Sequence, residues 1–302
     1  MLIYYGLIVL SVVMFGGGFA IQDVCRKKRG SGLKISMEAA CIGAFAGLIV
    51  LLAFNDFSFA VTPFTFWMAV LAALNGMAFT FCAFKALDYI NLSLFSLFAM
   101  LGGMALPFFQ GILFYEERFT LAKAVCVVFI FAALLCTVER GGKKKGTLFY
   151  VGIFVLNGMS GVLSKLFTAG DQPKNGAMEY STWIALATVV LSGVAWLVLT
   201  FLERGDNGAA LTNTPTMAKR SRLASYALGA VNGAINRVAN LLLVFALIYV
   251  DSSVQYPMVT GGTIVVSTAI SCLEGKKPSR RELLSVGLAL VGVLSLFFIP
   301  ML

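Results

Sequence analysis

Apolar residues run through this chain in blocks of about 20, parted by short breaks rich in charge, glycine, proline, asparagine or aspartate. The breaks delimit ten blocks, at about 2–22, 35–54, 63–87, 92–114, 120–138, 147–168, 179–202, 223–249, 253–273 and 283–301. Each is near the length a helix needs to cross roughly 30 Å of bilayer hydrocarbon. Only the connection 203–222 is long, and Gly205, Asp206, Asn207, Gly208 and Pro215 mark it as a surface loop. The pattern predicts an all-α polytopic membrane protein of ten transmembrane helices, with no soluble domain attached. The first block follows Met1 directly, without a basic leader or a small-residue cleavage pattern, so it is expected to remain as a span.

The polar breaks carry a repeat. Lys85-Ala86-Leu87-Asp88-Tyr89-Ile90-Asn91-Leu92-Ser93-Leu94 recurs as Phe245-Ala246-Leu247-Ile248-Tyr249-Val250-Asp251-Ser252-Ser253-Val254. Each copy leads into a glycine pair, Gly102-Gly103 and Gly261-Gly262. The stretch opening at Gly6 answers the one opening at Gly152, and Asn75-Gly76 answers Asn232-Gly233. Two five-helix units, 1–140 and 141–302, are therefore expected within one membrane domain. An odd number of spans per unit sets the two copies upside down relative to each other, the arrangement of many secondary transporters.

Composition agrees with this reading. Of 302 residues, 59% are hydrophobic and 12% charged, with a mean hydropathy of +0.90; a soluble domain needs more polar surface. The net charge of +9 is no sign of nucleic-acid binding, because the basic residues sit in short loops between spans, which is a topology signal. Arg26, Lys27, Lys28, Arg29, Lys34, Lys85, Arg140, Lys143, Lys144, Lys145, Arg204, Lys219, Arg220, Arg222, Lys276, Lys277, Arg280 and Arg281 share one side. Arg118, Lys123, Lys165 and Lys174 hold the other. Basic loops mark the cytoplasm, which puts both termini outside the plasma membrane. Histidine is absent, which removes imidazole metal sites and histidine proton relays. The six cysteines lack metal-ligand spacing and read as small buried hydrophobes. No cofactor is expected.

The Ala-Leu-x-Tyr-Ile/Val-Asn/Asp-x-Ser junctions at 86–93 and 246–253 resemble the EamA-like branch of the drug/metabolite transporter superfamily. So does the stretch from Gly102 through Pro107 to Glu116-Glu117, a proline-containing helix closing at a glutamate; its partner from Gly261 to Glu274 keeps only the glutamate. The resemblance implies a ten-helix fold and transport of a small molecule. In many members the basic loop follows the second span; residues 55–62 here hold no lysine or arginine, which implies reversed insertion. Small multidrug relatives place a glutamate in mid-membrane on their first helix for proton-coupled export of cations. Block 2–22 has no acid, which speaks against that coupling and against a cationic drug.

Arg237 stands out because it lies more than ten residues inside an apolar block. A cation at the bilayer centre costs roughly 2.5–3.5 kcal/mol even on insertion scales. Asn232, Asn236 and Asn240 recur every four residues beside it, so one helix face carries a polar stripe. Two readings fit: a wall that grips a carboxylate or phosphate, or a buried arginine satisfied by carbonyls at broken helix ends, with the asparagines joining helices. Further substrate-binding candidates are Gln255, Tyr256, Ser96 and Asn157. Gly17, Gly102, Gly103, Pro107, Pro257, Gly261 and Gly262 read as hinge or helix-packing residues.

The leading expectation is a secondary transporter of a small anionic or zwitterionic metabolite, such as an amino acid or related carboxylate, and not an enzyme. An exporter of aromatic or lipophilic compounds is the alternative, allowed by 26 phenylalanines. A lipid-modifying membrane enzyme ranks last, since neither histidine nor a mid-span acid is present to act as base or ligand. The expected partners are a small-molecule substrate and membrane lipids, in a monomer or, alternatively, a dimer.

Overall fold

A computed structural model describes residues 2–54, 60–114, 120–137, 146–206, 219–247, 250, 252–275 and 278–299. Ten helices follow one another among these residues: α1 (Leu2–Arg29), α2 (Leu33–Phe54), α3 (Pro63–Ala86), α4 (Leu92–Phe114) and α5 (Leu121–Thr137) in the first half. The second half contributes α6 (Thr147–Ala169), α7 (Ala177–Asp206), α8 (Lys219–Leu247), α9 (Ser252–Leu273) and α10 (Arg280–Phe298). No strand occurs among the described residues.

Local chemistry starts these helices where the polar breaks end. Thr62 caps α3 by accepting from the Thr65 N–H, and Pro63 fills the first turn, where no amide donor is needed. Asn91 caps α4 by accepting from the Leu94 N–H at 2.9 Å. Ser279 and Glu282 form a capping box on α10. Asn91 also donates to Glu282 at 2.8 Å, which ties the starts of α4 and α10 together. Gly146 enters α6 at φ +109°, and a methyl there would lie 2.6 Å from the Tyr89 ring. Both the backbone and the ring call for glycine.

α1 packs on α8 and α9, while α6 packs on α3 and α4. α2 lies between α7 and α8, α7 also touches α3, α4 meets α9, and α5 pairs with α10. Outward faces are greasy: Phe45 and Ile49 on α2 and Trp67 and Leu71 on α3 stay exposed at helical spacing. α1, α2, α3, α6 and α7 are long and apolar enough to cross a membrane, and α4 and α9 carry the shorter apolar stretches Leu92–Pro107 and Met258–Leu273. The protein is a multi-pass, membrane-embedded helical protein.

Two sequence expectations change. The first helix does not stop at residue 22; it runs to Arg29 and takes in Asp23, only 1% exposed. Arg26 and Lys27 reach back one turn to the Asp23 carboxylate at 2.8 and 2.6 Å. Such pairs at i,i+3 and i,i+4 prolong a helix beyond its apolar part. Block 2–22 lacks an acid, but the helix does not. Among the cysteines, all free, Cys25 and Cys126 are buried, whereas Cys272 is exposed near the end of α9.

Candidate functional site

The polar stripe of α8 faces two other helices. Gly43 on α2 and Gly233 on α8 bring their backbones together: a methyl at Gly233 would overlap the Gly43 carbonyl. One turn further along both helices, Gly47 lies against Arg237, where a methyl would stand 2.6 Å from Cγ, 3.3 Å from Nε and 3.5 Å from Cδ. On the α1 side, Gly18 faces the amides, 2.9 Å from Asn232 Oδ1 and 3.1 Å from Asn236 Nδ2 measured from the same added carbon. Ser11 Oγ donates to the Ala239 carbonyl at 3.1 Å and links α1 to α8 on the next turns. Four glycines thus let one arginine and two asparagines sit between α1, α2 and α8.

Within the stripe the asparagines turn toward their own helix. Asn236 Nδ2 donates to the Asn232 carbonyl at 2.9 Å and to Asn232 Oδ1 at 3.0 Å. Asn240 Nδ2 donates to the Asn236 carbonyl at 2.7 Å, and its side chain is exposed. Arg237 differs: half-buried, it has neither a hydrogen-bond acceptor nor an ion-pair partner among the described residues. Among the described residues α8 is continuous from Lys219 to Leu247, and α1 and α2 are unbroken beside it.

α6 packs closely on α4 and α3. A methyl at Gly102 would overlap the Phe154 backbone, and one at Gly103 would lie 2.6 Å from Asn157 Nδ2. Asn157 Nδ2 donates to the Ala99 carbonyl at 2.6 Å, while Asn75 Nδ2 donates to the Leu156 carbonyl at 2.9 Å. Pro107 packs on Gly161, and Gly262 on α9 faces Val12 of α1. Gly261 is buried beside it. Ser96, fully buried, donates to the Ser93 carbonyl at 2.9 Å. Asn157 and Ser96 serve the α4–α6 core rather than the Arg237 stripe, since no hydrogen bond among the described residues joins them to it. Gly17, expected to pack or bend, has open space around it. The side chains of Gln255, Tyr256 and Pro257 lie outside the described residues.

Charge gathers at the end of α1 that the basic loops share. Arg26 bridges Asp23 and Asp88, the latter at 2.6 Å, and Lys27 bridges Asp23 and Glu274, the latter at 2.9 Å. Ser31 also bonds Asp88, and Arg29 pairs with Glu38 and lies over the Tyr226 ring. Glu38 keeps only 13% of its side chain exposed in this pair. Beneath the cluster, Phe19 meets Phe95 edge-to-face at 5.1 Å within a plug of Ala83, Leu87, Leu92 and Phe98. Sequence reasoning found the stripe but missed Gly18, Gly43 and Gly47. The signal was present: Gly43 with Gly47, and Gly229 with Gly233, are small residues four apart, the spacing that lets membrane helices approach.

No family model matches the chain, and no curated protein matches it. A solved structure described as "Crystal structure of protein" is similar in fold, with a TM-score of 0.58 and 18% identity over 96% of this chain and 94% of the other. At that identity the likeness carries the helical architecture alone.

Proposed function

We propose that this chain is a secondary carrier of the drug/metabolite transporter kind, moving a small anionic or zwitterionic metabolite across the plasma membrane by alternating access. The observation that carries the reading is Arg237, a half-buried guanidinium far from either end of its helix and without a partner among the described residues. Such a group costs free energy until an anion meets it, and a planar guanidinium suits a carboxylate or phosphate in a bidentate pair. The neighbouring amides of Asn232 and Asn236 add neutral polar contacts for the rest of the molecule. Amino acids, related carboxylates and phosphorylated metabolites fit this chemistry.

The packing supports an inverted repeat of residues 1–140 and 141–302. Exchanging α1 with α6, α2 with α7, α3 with α8, α4 with α9 and α5 with α10 turns α1–α8, α1–α9 and α2–α8 into α6–α3, α6–α4 and α7–α3. All six pairs occur, while α2–α7, α4–α9 and α5–α10 map onto themselves. On this reading a midplane site opens to each side as the halves rock, and the ion cluster with its phenylalanine plug is the shut gate at the cytoplasmic end. Asp23, held between two cations, is a gate residue, so exchange, facilitated diffusion or coupling through the substrate's own charge is favoured over carboxylate-mediated proton antiport.

Uptake of radiolabelled pyruvate, glutamate and glycerol phosphate into reconstituted vesicles tests the site. Arg237→Ala is expected to lower transport of the carried anion at least tenfold, and Arg237→Lys to retain part of it. Unchanged uptake by a folded Arg237→Ala protein removes the anion-binding role.

A further inference from the structure

We propose that Gly47 is the positioning residue for Arg237: the bare backbone of α2 selects the arginine rotamer that presents the guanidinium to substrate. The inference rests on the reading of Arg237 as the anion-binding group and adds a second helix to it. A side chain at Gly47 would collide first with Cγ, at 2.6 Å, and only then with Nε and Cδ. Cγ is set by χ1 alone, so no bending of the flexible tip relieves the clash. Helical residues have essentially two χ1 wells, and leaving one for the other carries the guanidinium to a different place.

Parting the helices instead would break a close backbone contact. One turn away, Gly43 and Gly233 hold α2 and α8 at backbone contact. The register is four residues on each helix, from Gly43 to Gly47 and from Gly233 to Arg237, so one glycine pair clamps the helices while the next position seats the arginine stem. Gly18 does less for the amides. What it would strike are the ends of Asn232 and Asn236, which can swing aside. Gly17, with nothing near it, supplies the control.

The test uses the full chain in vesicles with the same three probes, plus melting temperatures of Gly47→Ala, Arg237→Ala and the double variant. Gly47→Ala is expected to raise KM for the carried probe about tenfold, a change of about 1.4 kcal/mol, with maximal velocity within a factor of two, while Gly17→Ala keeps the wild-type KM. Gly47→Ala should lower the melting temperature in the native background and leave it unchanged beside Arg237→Ala, which removes Cγ. A wild-type KM for Gly47→Ala where Arg237→Ala abolishes uptake overturns the positioning role alone. Unchanged uptake by Arg237→Ala overturns the anion site as well. Where none of the probes is carried, the melting comparison decides: an equal loss in both backgrounds overturns the proposal. If Gly47→Ala does not fold, the double variant is expected to fold, and its failure overturns the contact.

Discussion

Glycine is the residue through which this protein places its polar groups, and each glycine acts by what lies opposite it. Gly18 and Gly47 leave room for amides and an arginine stem, Gly233 for another backbone, and Gly17 for nothing. The consequence is a split within one Gly-Gly-Gly run. Gly17→Ala meets open space and relieves a helix-interior glycine, so it is expected to stabilise the protein by about 0.5–1 kcal/mol. Gly18→Ala shifts the Asn232–Asn236 amide pair and is expected to lose that gain. Thermal unfolding of the two variants in detergent checks the order; equal effects would mean that α1 does not press on the α8 stripe.

At the scale of elements, the α2–α8 crossing is the most sensitive contact. Gly233→Ala drives a methyl into the Gly43 carbonyl, and overpacking of this kind costs about 1–3 kcal/mol. The expected outcome is a lowered melting temperature with weakened uptake, since the clamp that seats Arg237 opens. Helix positions were legible in the chain because a run of about 20 apolar residues has few other fates in a bilayer. Most boundaries fall within a few residues of the polar breaks. The end of α1 was not legible, because Asp23, Arg26 and Lys27 read as loop residues until their one-turn pairing is seen. Arg237 and its asparagines were legible as a stripe, since charge in an apolar run is rare. What faces them was not: glycine announces room without saying whose. Asn157 shows the converse, a polar residue in an apolar helix whose partner is the Ala99 carbonyl.

Across the whole molecule, the way the basic end is built gives a test of both gating and orientation. At the basic end ions lie above phenylalanines, and both layers join α1 to helices on which it otherwise packs little. α1 belongs with α8 and α9, whereas α3 and α4 belong with α6. Arg26–Asp88 ties α1 to the end of α3, and the 5.1 Å contact of Phe19 with Phe95 ties α1 to α4. Removing the Arg26–Asp88 ion pair should favour the state open at that end. Arg26→Gln suits the purpose, because Lys27 still lies 2.6 Å from Asp23 and no buried carboxylate is stranded. Ser93 is a suitable reporter: fully buried on α4, it meets Thr268 of α9 at 2.8 Å near the same end. In a chain whose native cysteines are replaced by serine, Ser93→Cys is expected to resist a membrane-impermeant thiol reagent and to react several-fold faster once Arg26→Gln is added. The faster labelling should occur in inside-out vesicles and not in intact cells. Labelling in intact cells alone would keep the gate but turn the protein over, with the basic end outside. Labelling that Arg26→Gln leaves unchanged in both preparations would mean that the ion cluster holds the helix ends together without governing access.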